Sequence, residues 1–238
     1  MEKKNPSRQI PTKRRIYSEI LKENYTFALT LIDRELAEHG KDPELLYNFA
    51  ICCSRTANHK KCISVLEELL EEFPRFSERD NAFRLIIFSL INVGKYGEAI
   101  QKTDERLKLA VDDIMLLSLK AAAQEKSGDV KSAIETHLRI LRLRPDHRNS
   151  LNSAAYLLVE GRDPNPEELR TATENIKRAV QLDPDNPAYL DSLGVLLSKL
   201  GKEKEARTAF EKALRRSPAQ DTILEHLKKL TRSSEQGT

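Results

Sequence analysis

Apolar residues along this chain recur at i, i+3, i+4 and i+7, the spacing that puts them on one face of an α-helix. The clearest stretch runs from Pro187 to Gln220. There Leu190, Leu193, Gly194 and Leu197 precede Gly201, and Ala206, Phe210 and Ala213 precede Pro218. The pattern predicts two amphipathic helices joined at a glycine and closed by a proline. It returns upstream every 34 residues, with two interruptions.

Read backward, the preceding unit spans 148–186, with Leu151, Ala154, Ala155 and Leu158 in its first helix and Ala172, Ile176 and Ala179 in its second. It is longer by the stretch Gly161–Asn165, after which Asn165, Pro166 and Glu168 read as an N-cap, a first helical residue and a capping box. Units at 114–147, 80–113 and 43–76 follow the same scheme, with a short insert at Ser77–Arg79. The first unit, about 9–42, is blurred in its first helix but keeps Ala28, Leu29, Ile32 and Leu36 at helical spacing in its second. Beyond Gln220 the rhythm stops. Residues 221–231 read as one capping helix, with Ile223, Leu224, Leu227 and Leu230 on one face; 232–238 reads as a disordered tail and 1–12 as a basic N-terminal segment.

Each repeated residue type has a mechanical reason. Ala50, Ala121, Ala155 and Gly194 form a small column on the first helices, and Ala28, Cys62, Ala99, Ala133, Ala172 and Ala206 one on the second. Helices that cross at ~8–10 Å need small side chains at the crossing. Gly94, Gly128 and Gly201 end first helices, where the chain needs positive φ. Asp146 after Pro145, and Asn186 before Pro187, read as helix starts.

This skeleton resembles the tetratricopeptide repeat (TPR) family over about residues 9–220, with Leu where the family often has aromatic ends; Asp185–Gly194 is similar to terminal repeats of bacterial members. The resemblance implies an all-α, right-handed α-α superhelix, a solenoid of about six helix-turn-helix repeats closed by a C-terminal capping helix. It also implies that first helices line a concave face, where family members hold peptides or proteins. On this register the concave stripe offers Tyr47 and Ile51; Asn81, Arg84, Phe88 and Ile91; Met115; Asn149, Asn152, Tyr156 and Val159; and Asp191 and Val195. The apolar members suggest a groove, and the asparagines could pair with an extended peptide backbone; tight winding would instead bury the stripe as core. Lys13, Tyr17, Asn48, Asn81 and Leu85 supply only part of the clamp with which co-chaperone members hold a terminal carboxylate, so an internal or apolar segment fits better.

Composition narrows the rest. Among 238 residues, 40 basic and 37 acidic side chains nearly cancel, apart from the cluster Lys3, Lys4, Arg8, Lys13, Arg14 and Arg15. RNA binding would need a basic groove, and the stripe has essentially Arg84; nucleic acid is not expected. No apolar leader follows Met1 and no run is long enough to span a bilayer, so a cytoplasmic location is expected unless a leader has been removed. No hydrolase, nucleotide-binding or metalloprotease motif occurs, so no enzyme and no cofactor are implied. Cys52, Cys53, His59 and Cys62 lack paired zinc-ligand spacing and read as structural thiols. His137, on an apolar helix face, reads as a packed ring. The expectation is a non-enzymatic scaffold for a protein or peptide partner, with a chaperone or regulatory subunit as the alternative and self-association left open.

Overall fold

In a computed structural model of the chain, residues 6–160 and 163–236 are described, without the side chains of 6–12 and 233–236. These residues form thirteen α-helices and no strand. The chain divides into two compact units, Met1–Leu109 and Ala110–Thr238.

The first unit holds three helix pairs: α1 (Pro6–Leu21) with α2 (Tyr25–His39), α3 (Pro43–Arg55) with α4 (His59–Glu72), and α5 (Arg79–Asn92) with α6 (Tyr96–Leu107). Helices pack on their neighbours in sequence, and α3 also touches α5, as stacked pairs require. The insert before α5 is fastened rather than loose. The Arg79 guanidinium donates to the Leu70 carbonyl at 3.2 Å and lies over the Phe83 ring, while Phe76 packs its ring 5.5 Å from that of Tyr47.

The second unit holds α7 (Ile114–Ser127) with α8 (Val130–Leu143), α9 (Arg148–Val159) with α10 (Pro166–Leu182), α11 (Pro187–Lys199) with α12 (Glu203–Arg216), and the closing α13 (Asp221–Gln236). Its core runs from Ile134 and Leu151 through Ile176, Tyr189 and Phe210 to Ile223 and Leu230. α13 packs mainly on α12 and touches α11, the position a next first helix would take.

Both small columns are buried, Ala50, Ala121, Ala155 and Gly194 on first helices and Ala28, Cys62, Ala99, Ala133, Ala172 and Ala206 on second ones. Gly94, Gly128 and Gly201 adopt φ of +81°, +82° and +71°, as their places at the ends of first helices require. The corresponding turns in the first two pairs use Glu23 and Ala57, at φ 59° and 58°, without glycine. Asp42, Asp113, Asn165 and Asn186 cap the helices they precede, and Asn165 with Glu168 completes the capping box.

Three boundaries differ from the expectation. α1 already begins at Pro6, inside the segment read as a basic tail, because proline at a helix start forfeits no hydrogen bond; residues 1–5, with Lys3 and Lys4, lie outside the described ones. α13 continues to Gln236 rather than stopping near Thr231, since no glycine or proline interrupts the chain before Gly237. At α9 the cap is His147, not Asp146: its Nδ1 accepts from the Ser150 amide at 3.3 Å.

The tightest crossing lies between α11 and α12. A Cβ added at Gly194 would stand 2.4–2.8 Å from ring atoms of buried Phe210. Gly194→Ala therefore displaces the ring, and we expect a loss of roughly 1–3 kcal/mol in urea unfolding. Combining it with Phe210→Leu should give a non-additive loss, with coupling above about 0.5 kcal/mol. Strictly additive losses would show that the ring is not what the methyl group meets.

Candidate partner-binding groove

The residues expected along the stripe fall into both units, and each set stands on its own. In the first unit, Tyr47 and Ile51 on α3 are partly buried, and desolvation, then Glu78, raise the Tyr47 phenol. On α5, Asn81, Arg84 and Phe88 are neighbours at helical spacing. Arg84 donates to Asn81 Oδ1 at 2.8 Å, and Asn81 donates to Glu78 Oε2 at 2.6 Å. The Asn81 amide thus already has partners of its own. Phe88 is 44% exposed, with its ring edge-on to His59 at 5.8 Å. Ile91 departs from the expectation: at 5% exposure it belongs to the core, because the stripe turns inward at the end of α5. Lys13, a member of the partial carboxylate clamp, is tied to Asp42 at 2.7 Å and to Glu44 at 3.6 Å.

In the second unit, Met115 at the start of α7 is 59% exposed. Asn149 is exposed and accepts from the Tyr189 hydroxyl at 3.2 Å. Asn152 is partly buried, and its Oδ1 is shielded without an intramolecular donor. Tyr156 is half-buried; burial pushes its phenol to about 12. Val159, Asp191 and Val195 were expected on the stripe and are buried instead. For Asp191 the cause is α13, whose His226 Nδ1 donates to Asp191 Oδ1 at 2.9 Å.

The surroundings of His226 escape helical periodicity, since no sequence pattern pairs residues on three different helices. Its Nε2 faces Glu160 at 3.7 Å, and its ring lies 6.2 Å from Tyr156 and 5.9 Å from Phe210. Lys229, also on α13, reaches the same Glu160 carboxylate at 3.8 Å. The hydrogen bond to Asp191, and next the Glu160 carboxylate, outweigh desolvation and raise the imidazole to about 9, while His226 holds Glu160 below its ordinary value. A charged imidazolium thus fastens the closing helix.

A second network surrounds His137. Its Nε2 lies 2.7 Å from Glu125 Oε1 and its Nδ1 3.0 Å from Ser150 Oγ, and that oxygen also lies 2.9 Å from His147 Nδ1. Beside it, Thr136 donates to Gln124 at 2.8 Å. His137 is buried as expected, but as a hydrogen-bonded ring rather than an apolar filler. Acid, imidazole and hydroxyl here have the order of a hydrolase triad, yet Ser150 has no exposed surface for a substrate to reach.

The cysteines are free and buried. Burial pushes the Cys52 and Cys53 thiols to about 11 and raises Cys62, whose sulfur accepts from Ser89 Oγ at 3.3 Å. Such thiols are poor nucleophiles. Among the described residues no group of three or more His, Cys, Asp or Glu is placed to hold a metal ion, and no helix is long and apolar enough to cross a membrane.

Stacked helix pairs with small-residue crossings define a helical-repeat scaffold. Residues 188–220 match the tetratricopeptide repeat family model. A TPR repeat-containing protein of Pseudomonas aeruginosa is 32% identical over 148 residues, 60% of this chain and 24% of the relative, so the chain spans about a quarter of that protein's length. A solved tetratricopeptide repeat protein from Parabacteroides merdae superposes with a TM-score of 0.69 at 17% identity, over 96% of this chain and 86% of that one. YrrB, described as a TPR protein with an unusual peptide-binding site, gives a TM-score of 0.57 at 18% identity, over 83% and 97%. The chain thus matches a tetratricopeptide repeat at 188–220, and its described residues have the all-α fold of TPR proteins. That fold supports a protein–protein interaction scaffold, and it is typically non-enzymatic.

The His226 tie makes a signed prediction. Its folded value of about 9 lies above the ordinary 6.5, so its stabilisation is complete below about 6.5 and is lost as pH rises through about 9. Thermal unfolding of wild type and His226→Gln should differ most near pH 6 and converge by about pH 10. A gap that widens with pH would reverse the assignment.

Proposed function

We propose that the chain is a non-enzymatic interaction module that holds an extended segment of a protein partner against the exposed faces of its first helices. The supporting observation is the placement of Phe88 and Met115. Both are large apolar side chains, markedly exposed, on the first helices of their pairs. Exposed apolar groups grouped with polar ones mark interaction surfaces, and aromatic and Arg side chains serve as anchors. Tyr47, Ile51, Asn81 and Arg84 accompany Phe88 in the first unit, and Asn149, Asn152 and Tyr156 accompany Met115 in the second. YrrB, of like fold, carries a peptide-binding site, which makes a peptide the natural ligand class.

Phe88→Ala and Met115→Ala test this without disturbing the core. Each should leave helicity and the unfolding midpoint unchanged, while a partner captured by the native chain loses about tenfold in affinity or more. Capture unaltered by both substitutions would place the binding surface elsewhere.

A further inference from the structure

The turn that leads into a first helix is held, in three repeats, by the same ionic clamp. The residue two places before the helix pairs with the second helix of its own repeat. Lys41, before α3, pairs with Glu68 at 2.6 Å and with Glu72. Asp112, before α7, faces Arg139 at 3.6 Å. Asp185, before α11, faces Lys212 at 3.5 Å and Arg216 at 2.7 Å. The sign is reversed in the first case, but the geometry recurs.

At α9 the clamp is open. Asp146 stands two places before the helix, and Arg178 on α10 occupies the place of Arg139 and Lys212 once the longer loop is allowed for. The two do not pair. Leu182, 42% exposed, stands where Glu72 and Arg216 stand in their repeats. In place of the clamp is a cavity of about 420 Å³ lined by Arg144, Asp146, His147, Arg148, Asn149 and Leu182. Arg144 and Arg148 are exposed and form no ion pair with any described carboxylate. Two guanidinium groups against one carboxylate leave the cavity positive. Burial, and next the charge of Arg144, lower the His147 imidazole, in keeping with that field.

We propose that this cavity docks an acidic segment of a protein partner, whose Asp or Glu carboxylates take Arg144 and Arg148 while a neighbouring apolar side chain lies on Leu182. Charge complementarity carries the choice of occupant. Each closed clamp neutralises its turn with a pairing between carboxylate and cation, and the planar forks of two arginines match carboxylates in two-point contacts. Leu182 supplies an exposed apolar surface beside the two arginines, as Leu143 does at the same position of the repeat before it, where the clamp is closed. The site is separate from the exposed apolar groups Phe88 and Met115, and only Asn149 is common to it and to the first-helix stripe.

The probe is the peptide acetyl-Glu-Glu-Leu-Glu-Glu-amide, titrated into the full chain at low salt and followed by amide and arginine Nε NMR shifts. Shifts should gather at Arg144, Arg148, Asn149 and Leu182. Arg144→Gln/Arg148→Gln, both at exposed positions, should weaken binding about fivefold or more, and so should the all-Gln peptide. Phe88→Ala and Met115→Ala should leave it unchanged, which separates this site from the groove. Shifts centred elsewhere, binding that survives the double substitution, or equal shifts from inorganic phosphate alone would each overturn the proposal.

Discussion

Every other feature of this fold depends on how closely the two helices of a pair can cross. The crossing is set by side-chain bulk, and the chain keeps bulk away from it with alanine, cysteine and glycine at fixed places. Gly194 shows the limit, because no atom beyond hydrogen fits between α11 and the Phe210 ring. Close crossing turns the larger apolar residues toward neighbouring pairs, so the core is a series of thin layers rather than one centre. Polar groups on the outer faces are then free to vary, and that freedom is where the repeats differ from one another.

Those differences decide what was legible in the amino-acid order. The columns, the positive-φ glycines and the Asx caps were readable because each is a local demand of backbone geometry on one residue. Even the longer loop before α10 announced its own end through Asn165, Pro166 and Glu168. The contacts of His226 and Ser150 were not readable. Each lies where three helices meet, and helical period specifies a face without saying what covers it. Val159, Asp191 and Val195 lie inward for the same reason, since a stripe that is open on an isolated pair closes where a neighbouring helix lies against it, whereas Ile91 lies inward because the stripe itself turns at the end of α5. Of the candidate groove, Phe88 and Met115 are exposed as the register required, and Asn81 proved to be engaged already with Glu78 and Arg84.

The two buried histidine networks bear on function by rigidity rather than chemistry. Around His137, hydrogen bonds join Glu125 on α7, Ser150 on α9 and His147 in the turn between α8 and α9. Around His226, a charged ring binds the closing helix to Asp191 and Glu160. Buried polar groups of this kind are costly unless fully paired, so they favour one arrangement of the helices over near alternatives. A surface meant to recognise a partner benefits from such fixed spacing, because less order is lost on binding.

The turn clamps have a kinetic side as well. They join residues only 27 to 31 positions apart, from Lys41 with Glu68 to Lys41 with Glu72. A contact that closes so short a segment needs no distant part of the chain to have found its place. Each pair can therefore gather by itself, in a folding reaction dominated by local encounters and correspondingly quick. The same locality works in reverse: an opening that starts at one pair has few direct ties through which to spread, so the chain should yield pair by pair rather than all at once.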